Sequence, residues 1–202
     1  MFATYRSGIQ RYFVAASIAT AASIGGATAQ DVVTWNDDVS GWTVAVDRTL
    51  NDGCFALACF DGGTCLRLQL NAANERVIFF AMNDNWQSLE TGKLYDIEVK
   101  FGTLAPWTGM ASVHRFSNGL PSLVLNVPFE EERAFNFIDE FMRMTGVRIS
   151  YSGSVIANLS LRGTYAAMEE VFNCQRTMIE GGQRPRSDPF SAAPQNSDDP
   201  FR

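Results

Sequence analysis

The chain is poor in the residues on which several function classes depend. It has one histidine, His114, and only two lysines, Lys93 and Lys100, in 202 residues. A single imidazole excludes a His-rich metal site. Sixteen Lys plus Arg against 22 Asp plus Glu leave no positive footprint for a phosphate backbone, so nucleic acid is not an expected partner. Long apolar runs are missing too. The run from Phe13 to Ile24 is broken by Ser17, Thr20 and Ser23, and a membrane-spanning helix needs roughly 20 mostly apolar residues. With 46% apolar and 19% charged residues, the rest is an ordinary globular composition, which excludes a wholly disordered, collagen-like or multi-span membrane chain.

The first 30 residues carry basic Arg6 and Arg11 with no acid before Asp31, then the apolar run, then Ala27-Thr28-Ala29. This three-part order predicts a secretory signal peptide over residues 1–29, with Gln30 as the mature N-terminus. The separated arginines do not suggest twin-arginine export, and the absence of a Cys after the cut does not suggest a lipoprotein. The competing expectation is that the segment stays as an uncleaved anchor. Cleavage removes Arg6 and Arg11, leaving 14 basic against 22 acidic residues, a mature charge of −8. Such a domain would be periplasmic or secreted, with no stable membrane insertion after cleavage.

Four cysteines, Cys54, Cys59, Cys65 and Cys174, form an even set that an oxidising compartment would pair. Four allow three connectivities. The stretch Cys59 to Cys65 reads as two strand ends around Asp61-Gly62-Gly63, which places its cysteines opposite each other and leaves Cys54 for Cys174. Metal ligation by the four sulfurs is the rival reading, but the set lacks the paired short spacing of zinc ribbons. No metal and no cofactor is expected.

From Asp31 to about Leu125 the apolar period is two: Trp42, Val44, Val46; Leu66, Leu68, Leu70; Tyr95, Ile97, Val99, Phe101. Turn signals at Asn51-Asp52-Gly53, Asp61-Gly62-Gly63, Thr91-Gly92 and Asn118-Gly119 space the strands as an antiparallel meander would. After Pro128 the period becomes helical. Ala134, Phe137, Ile138 and Phe141 predict an amphipathic helix over 129–144, with Glu130, Glu131 and Glu132 in its first turn and Gly146 past its end. A hairpin over 147–151 and 155–161 follows. Thr164 is the expected N-cap of a second helix to about Met178, with Met168, Val171 and Phe172 on one face. The fold class is therefore α+β, an antiparallel meander or sandwich-like sheet with two C-terminal helices separated by a β-hairpin, forming one disulfide-stabilised domain over 30–180.

Residues 181–202 hold four of the seven prolines together with polar residues, a composition expected to be a disordered tail. It carries two similar tetrapeptides, Ser187-Asp188-Pro189-Phe190 and Asp198-Asp199-Pro200-Phe201. Two aromatics on one tether can anchor a partner by effective concentration, which makes Phe190 and Phe201 candidate contacts. Trp86 and Trp107 are the others, because they fall in the segments with least strand character, 83–92 and 102–109. The opposing expectation is that both indoles are buried against the ends of the sheet.

The residues Trp42-Thr43-Val44 with Gly53-Cys54-Phe55, then Trp86-Gln87-Ser88-Leu89 before Gly92 and Tyr95, then Leu159 to Thr164 leading to Cys174-Gln175, carry a resemblance over roughly 42–175. Through them the chain resembles a family of small, uncharacterised exported bacterial proteins. The resemblance implies a fold and no activity. Its two cysteines match Cys54 and Cys174, with Cys59 and Cys65 an addition in this chain.

Catalytic constellations are thin. His114 lies in a segment expected to be a strand, and its neighbours Ser112 and Arg115 supply neither nucleophile nor orienting acid. Asp47, Asp52, Asp61, Asp139 and Glu140 could in principle supply a hydrolytic carboxylate pair, although turn chemistry and helix polarity account for most of them. The sequon Asn158-Leu159-Ser160 falls in a strand expected to be buried. The expectation is an exported, non-enzymatic binding or accessory module for a protein partner in the cell envelope, as an inhibitor or a small complex subunit. The alternative is an envelope hydrolase using a carboxylate pair.

Overall fold

A computed structural model describes residues 31–183. The elements in chain order are β1 (Val32–Val39), β2 (Trp42–Asp47), β3 (Gly53–Cys59), β4 (Thr64–Asn71), β5 (Arg76–Asn83), β6 (Tyr95–Phe101), β7 (Trp107–Arg115), β8 (Pro121–Pro128), α1 (Arg133–Arg143), β9 (Gly146–Tyr151), β10 (Ser154–Ser160) and α2 (Thr164–Gln183). The ten strands form one antiparallel sheet in the order β1-β2-β3-β4-β5-β8-β7-β6-β9-β10, so the fold is α+β.

The order follows the chain only as far as β5. Then β5 pairs with β8, not β6, in a register that sets Val77 against Val127 and Ala81 against Leu123. The connection from β5 to β6, residues 84–94, must therefore pass the ends of β8 and β7, a departure from a plain meander. β7 joins the halves of the sheet: Ser112 to Arg115 pair with β8, while Trp107 to Ala111 pair with β6.

Both helices cover one face of the sheet. Phe137 and Phe141 of α1 are fully buried, and the Phe137 ring stands edge-on to Phe79, Phe101 and Trp107 at 5.0 to 5.7 Å. Packing of this kind adds about 0.5 to 1.5 kcal/mol per pair beyond the area buried. Ala167, Met168, Val171 and Cys174 of α2 complete the core.

Three contacts latch α2 to the sheet. The Trp42 indole N–H donates to the Arg162 carbonyl at 2.9 Å, the Cys54 N–H donates to Gln175 Oε1 at 2.9 Å, and Cys54 is bonded to Cys174. The chain just before α2 approaches the β1–β2 turn so closely that a Cβ on Gly163 would lie 2.3 Å from the Ser40 carbonyl oxygen. Gly163 also has φ +88°, so glycine is required there twice over. Cys59 and Cys65 sit directly opposite on β3 and β4 and form the second disulfide.

Local boundaries differ from those expected. Glu130 to Glu132 form a separate 3-10 turn, and Glu132 at φ +61° breaks it from α1, which starts at Arg133; the three acids precede the helix instead of occupying its first turn. Gly146 does stand past the end of α1, as expected, and it opens β9. The Thr164 hydroxyl caps nothing: it donates to the Leu161 carbonyl at 2.8 Å, and the Gly163 carbonyl accepts the first helical bond from the Ala167 N–H. α2 continues past residue 180 to Gln183, with Gly181 and Gly182 inside its last turn.

Candidate functional site

The crossing segment 84–94 folds as short turns, with the Trp86 N–H donating to the Asn83 carbonyl at 3.0 Å and the Leu89 N–H to the Trp86 carbonyl at 3.1 Å. Arg115, at the end of β7, clamps it. Its guanidinium donates to the carbonyls of Leu89 at 2.8 Å and Gln87 at 3.1 Å and to Gln87 Oε1 at 3.2 Å. On the other side the Glu90 N–H donates to the Tyr95 hydroxyl at 3.0 Å. A segment tied through Gln87, Leu89 and Glu90 to β7 and to the first residue of β6 is preorganised, which lowers the entropic cost of binding.

Under this segment lies a pocket of about 170 Å³, walled by Trp86, Ser88 and Leu89 from above and by Tyr95, Leu123, Tyr151 and Ile156 from the sheet. Tyr95 and Tyr151 meet edge to face with centroids 5.5 Å apart, because β6 pairs with β9 in a register that sets Ile97 against Tyr151. The Lys93 ammonium lies 5.5 Å from the Tyr95 ring and pairs with Glu90 at 3.0 Å; that carboxylate raises the lysine pKa above its ordinary value. The walls are aromatic and aliphatic with few polar groups, the usual make-up of a ligand site. A cavity of roughly 150 Å³ admits benzene, so the pocket holds one Phe- or Leu-sized group. A wider cleft of about 600 Å³ at the other end of β5 is walled by Asn74, Glu75, Arg76, Asn126, Pro128, Phe129 and Glu130. It offers one aromatic and charges of both signs, a turn-end depression without converging recognition groups.

The other candidate residues do not gather at the pocket. Trp107 is the first residue of β7, not a loop residue. Its indole N–H donates to Glu140 at 2.6 Å and its ring packs on Phe137, so it braces α1 against the sheet. Phe190 and Phe201 lie outside the described residues. Asp139 pairs with Arg143 on the exposed side of α1 at 2.5 Å, and Asp52 and Asp61 are exposed turn residues. None of these carboxylates lines either the pocket or the wider cleft. No group of three or more His, Cys, Asp or Glu side chains able to hold a metal ion occurs among the described residues. The sequon residue Asn158 is exposed rather than buried, because β10 is the last strand of the sheet.

Asp47 lies on the opposite face of the sheet from the helices, in a buried cluster that sequence reasoning missed. Its carboxylate pairs with Arg67, which also donates to Gln69 and lies 3.7 Å from the centre of the Phe55 ring and 5.0 Å from Phe80. Burial pushes the Asp47 carboxyl up, but hydrogen bonds from Thr49 and Arg67 outweigh it and hold it below the ordinary carboxylate value. Burial pulls the Arg67 guanidinium down, against the pull of Asp47. His114 stands beside this cluster, edge-on to Phe116 at 4.7 Å; partial burial and the Arg67 charge lower its pKa. The alternation Arg67–Gln69 with Asp47 two strands away is the only signal the sequence carried of it.

No helix among the described residues is long and apolar enough to cross a membrane, and both disulfides fit an oxidising compartment. No protein-family model matches the chain, and no curated protein matches it. The fold is similar to the crystal structure of invasion associated protein B from Bartonella henselae, at 10% identity and a TM-score of 0.50, over 71% of this chain and 99% of that one.

Proposed function

We propose that the protein is an exported, non-enzymatic binding module, periplasmic or secreted after loss of residues 1–29, which holds a protein partner of the cell envelope through the Trp86–Tyr95–Tyr151 pocket. The observation that supports this reading most directly is the clamped segment 84–94 closing an aromatic pocket on the sheet. Rigid aromatic anchors in a preformed pocket supply binding energy at low entropic cost. The carboxylate-hydrolase alternative lacks support in the geometry, since Asp47 is committed to Arg67, Asp139 to Arg143 and Glu140 to Trp107.

The residues that carry the sequence resemblance divide into two groups. Trp42, Cys54, Gly163, Cys174 and Gln175 make the latch between α2 and the sheet, whereas Trp86, Ser88, Leu89 and Tyr95 wall the pocket. A photo-crosslinking amino acid at Ser88 in cells should give a discrete adduct with an envelope protein, and the same probe at Asp52, on a remote turn, should give none. No adduct at Ser88, or the same adduct from both positions, would rule the pocket out.

A further inference from the structure

Among the described residues the sheet has two free edges, and they are built differently. β1 carries Asp37 and Asp38 and has two register breaks, between Thr34 and Asn36 and between Asn36 and Val39. Charges and bulges are how proteins blunt an edge against pairing with another chain. β10 has almost none of this protection. Its seven residues, Ser154 to Ser160, include no Asp, Glu, Lys, Arg, Pro or Gly, and beyond one break at Val155/Ala157 they pair regularly with β9 through Ser160. Among the described residues nothing lies beyond β10 in the sheet.

The same edge adjoins the pocket. Ile156 of β10 and Tyr151 of β9 are two of its walls, and Val155 beside them is 54% exposed. Backbone hydrogen bonds along an edge supply affinity, and a neighbouring pocket for one side chain supplies selectivity. We propose that β10 accepts an extended segment of the partner protein as an added strand, with one Phe- or Leu-sized side chain of that segment seated in the aromatic pocket. The proposal rests on the pocket reading above and specifies how the partner is held.

Charge and area identify the occupant. Residues 31–183 carry 19 carboxylates against 11 Lys and Arg, while the edge itself is neutral. The segment that suits this field is apolar at its centre and flanked by Lys or Arg. A second copy would bring the same negative excess. A seven-residue edge is also far short of the roughly 20 to 30 residues a side of a standard stable interface.

The test uses the full exported chain with its disulfides intact, labelled with ¹⁵N. The probe is an end-blocked peptide, Lys-Thr-Val-Thr-Phe-Thr-Val-Thr-Lys, titrated to about 2 mM, within reach of a weak complex. The expected result is saturable shifts at β10 amides together with the Trp86 indole. Replacing the central Phe by Ala, replacing both Lys by Glu, or N-methylating alternate residues along the pairing edge should each weaken binding roughly tenfold or more, since each removes one contribution. The methylated peptide leaves the protein unaltered, so its result does not depend on a variant folding. The double variant Val155→Lys, Asn158→Lys should weaken the parent peptide similarly. No saturable shift would overturn strand addition. So would equal binding of the methylated peptide with shifts confined to the pocket, an outcome that leaves the pocket reading intact. Concentration-dependent β10 shifts without peptide would assign the edge to a second copy. The Ser88 crosslink fails or succeeds independently of all of these.

Discussion

Removing the Cys54–Cys174 disulfide should cost far more stability than removing Cys59–Cys65, although each substitution changes only two sulfurs. The first bridge joins residues 120 apart and the second residues 6 apart. On the chain-entropy model, closing the long loop contributes about 5 kcal/mol at 25 °C and closing the short one about 2 kcal/mol. Cys54 and Cys174 are fully buried, so replacing both with Ala also removes packing, on the order of 1 kcal/mol at each site. Cys59 is exposed and Cys65 half-buried, so the second pair adds little. Against a total of roughly 5 to 15 kcal/mol for a domain, the first double Ala variant should be marginal or unfolded at 37 °C and the second folded. Urea unfolding followed by tryptophan fluorescence measures both, and the m-value should rise in the first variant as its unfolded chain expands. Equal losses in the two variants, or a larger loss for Cys59–Cys65, would refute the argument that the long crosslink carries the fold.

Three further outcomes follow from the buried clusters and the latch. Arg67→Met should destabilise by about 3 to 5 kcal/mol, because it leaves the Asp47 carboxylate buried without its partner; adding Asp47→Asn should recover part of the loss, and no recovery would mean the two are not coupled. Gly163→Ala should cost at least about 1 to 2 kcal/mol from its φ of +88° alone, with the Ser40 approach adding to it; an unchanged melting temperature would contradict the geometry. The single imidazole should titrate below 6.5 in ¹H NMR, since partial burial and Arg67 disfavour its charged form. The unfolded chain then binds more protons than the folded one just below pH 6.5, so His114 makes stability fall as pH drops through that region. His114→Gln should flatten that limb, and a limb that persists would assign it to other groups.

The sequence showed the strands whose two faces differ and hid those whose faces are alike. Tyr95 to Phe101 alternate buried and exposed or half-buried positions, so a period of two is plain. Arg76 to Asn83 is different. Val77, Phe79 and Ala81 face the helices, while Ile78, Phe80 and Met82 bury on the opposite side, so the central strand reads as an unbroken apolar run. The β5–β8 pairing, and hence the path of segment 84–94 over the sheet, depends on partners 40 or more residues apart in the chain, which no local period encodes. Of the pocket walls only Trp86 stood out as a candidate contact; Ser88 and Leu89 entered only through the resemblance, and Tyr95 through it and the strand period. Tyr95 and Tyr151 looked like routine strand positions and become a pair only through the β6–β9 register. Trp107 drew attention for the opposite reason: its loop-like surroundings hid a hydrogen bond to Glu140, 33 residues away.

The most direct test of the account is to isolate the protein from its native envelope fraction in parallel with a Trp86→Ala variant, and to determine the intact mass, the disulfide map and the co-purifying proteins of each. The account predicts a chain beginning at Gln30, four hydrogens light, with Cys54 linked to Cys174, and a stoichiometric companion that the variant loses while its unfolding free energy stays within about 2 kcal/mol of the parent. An uncleaved chain with free thiols, or a companion retained undiminished by Trp86→Ala, would contradict it.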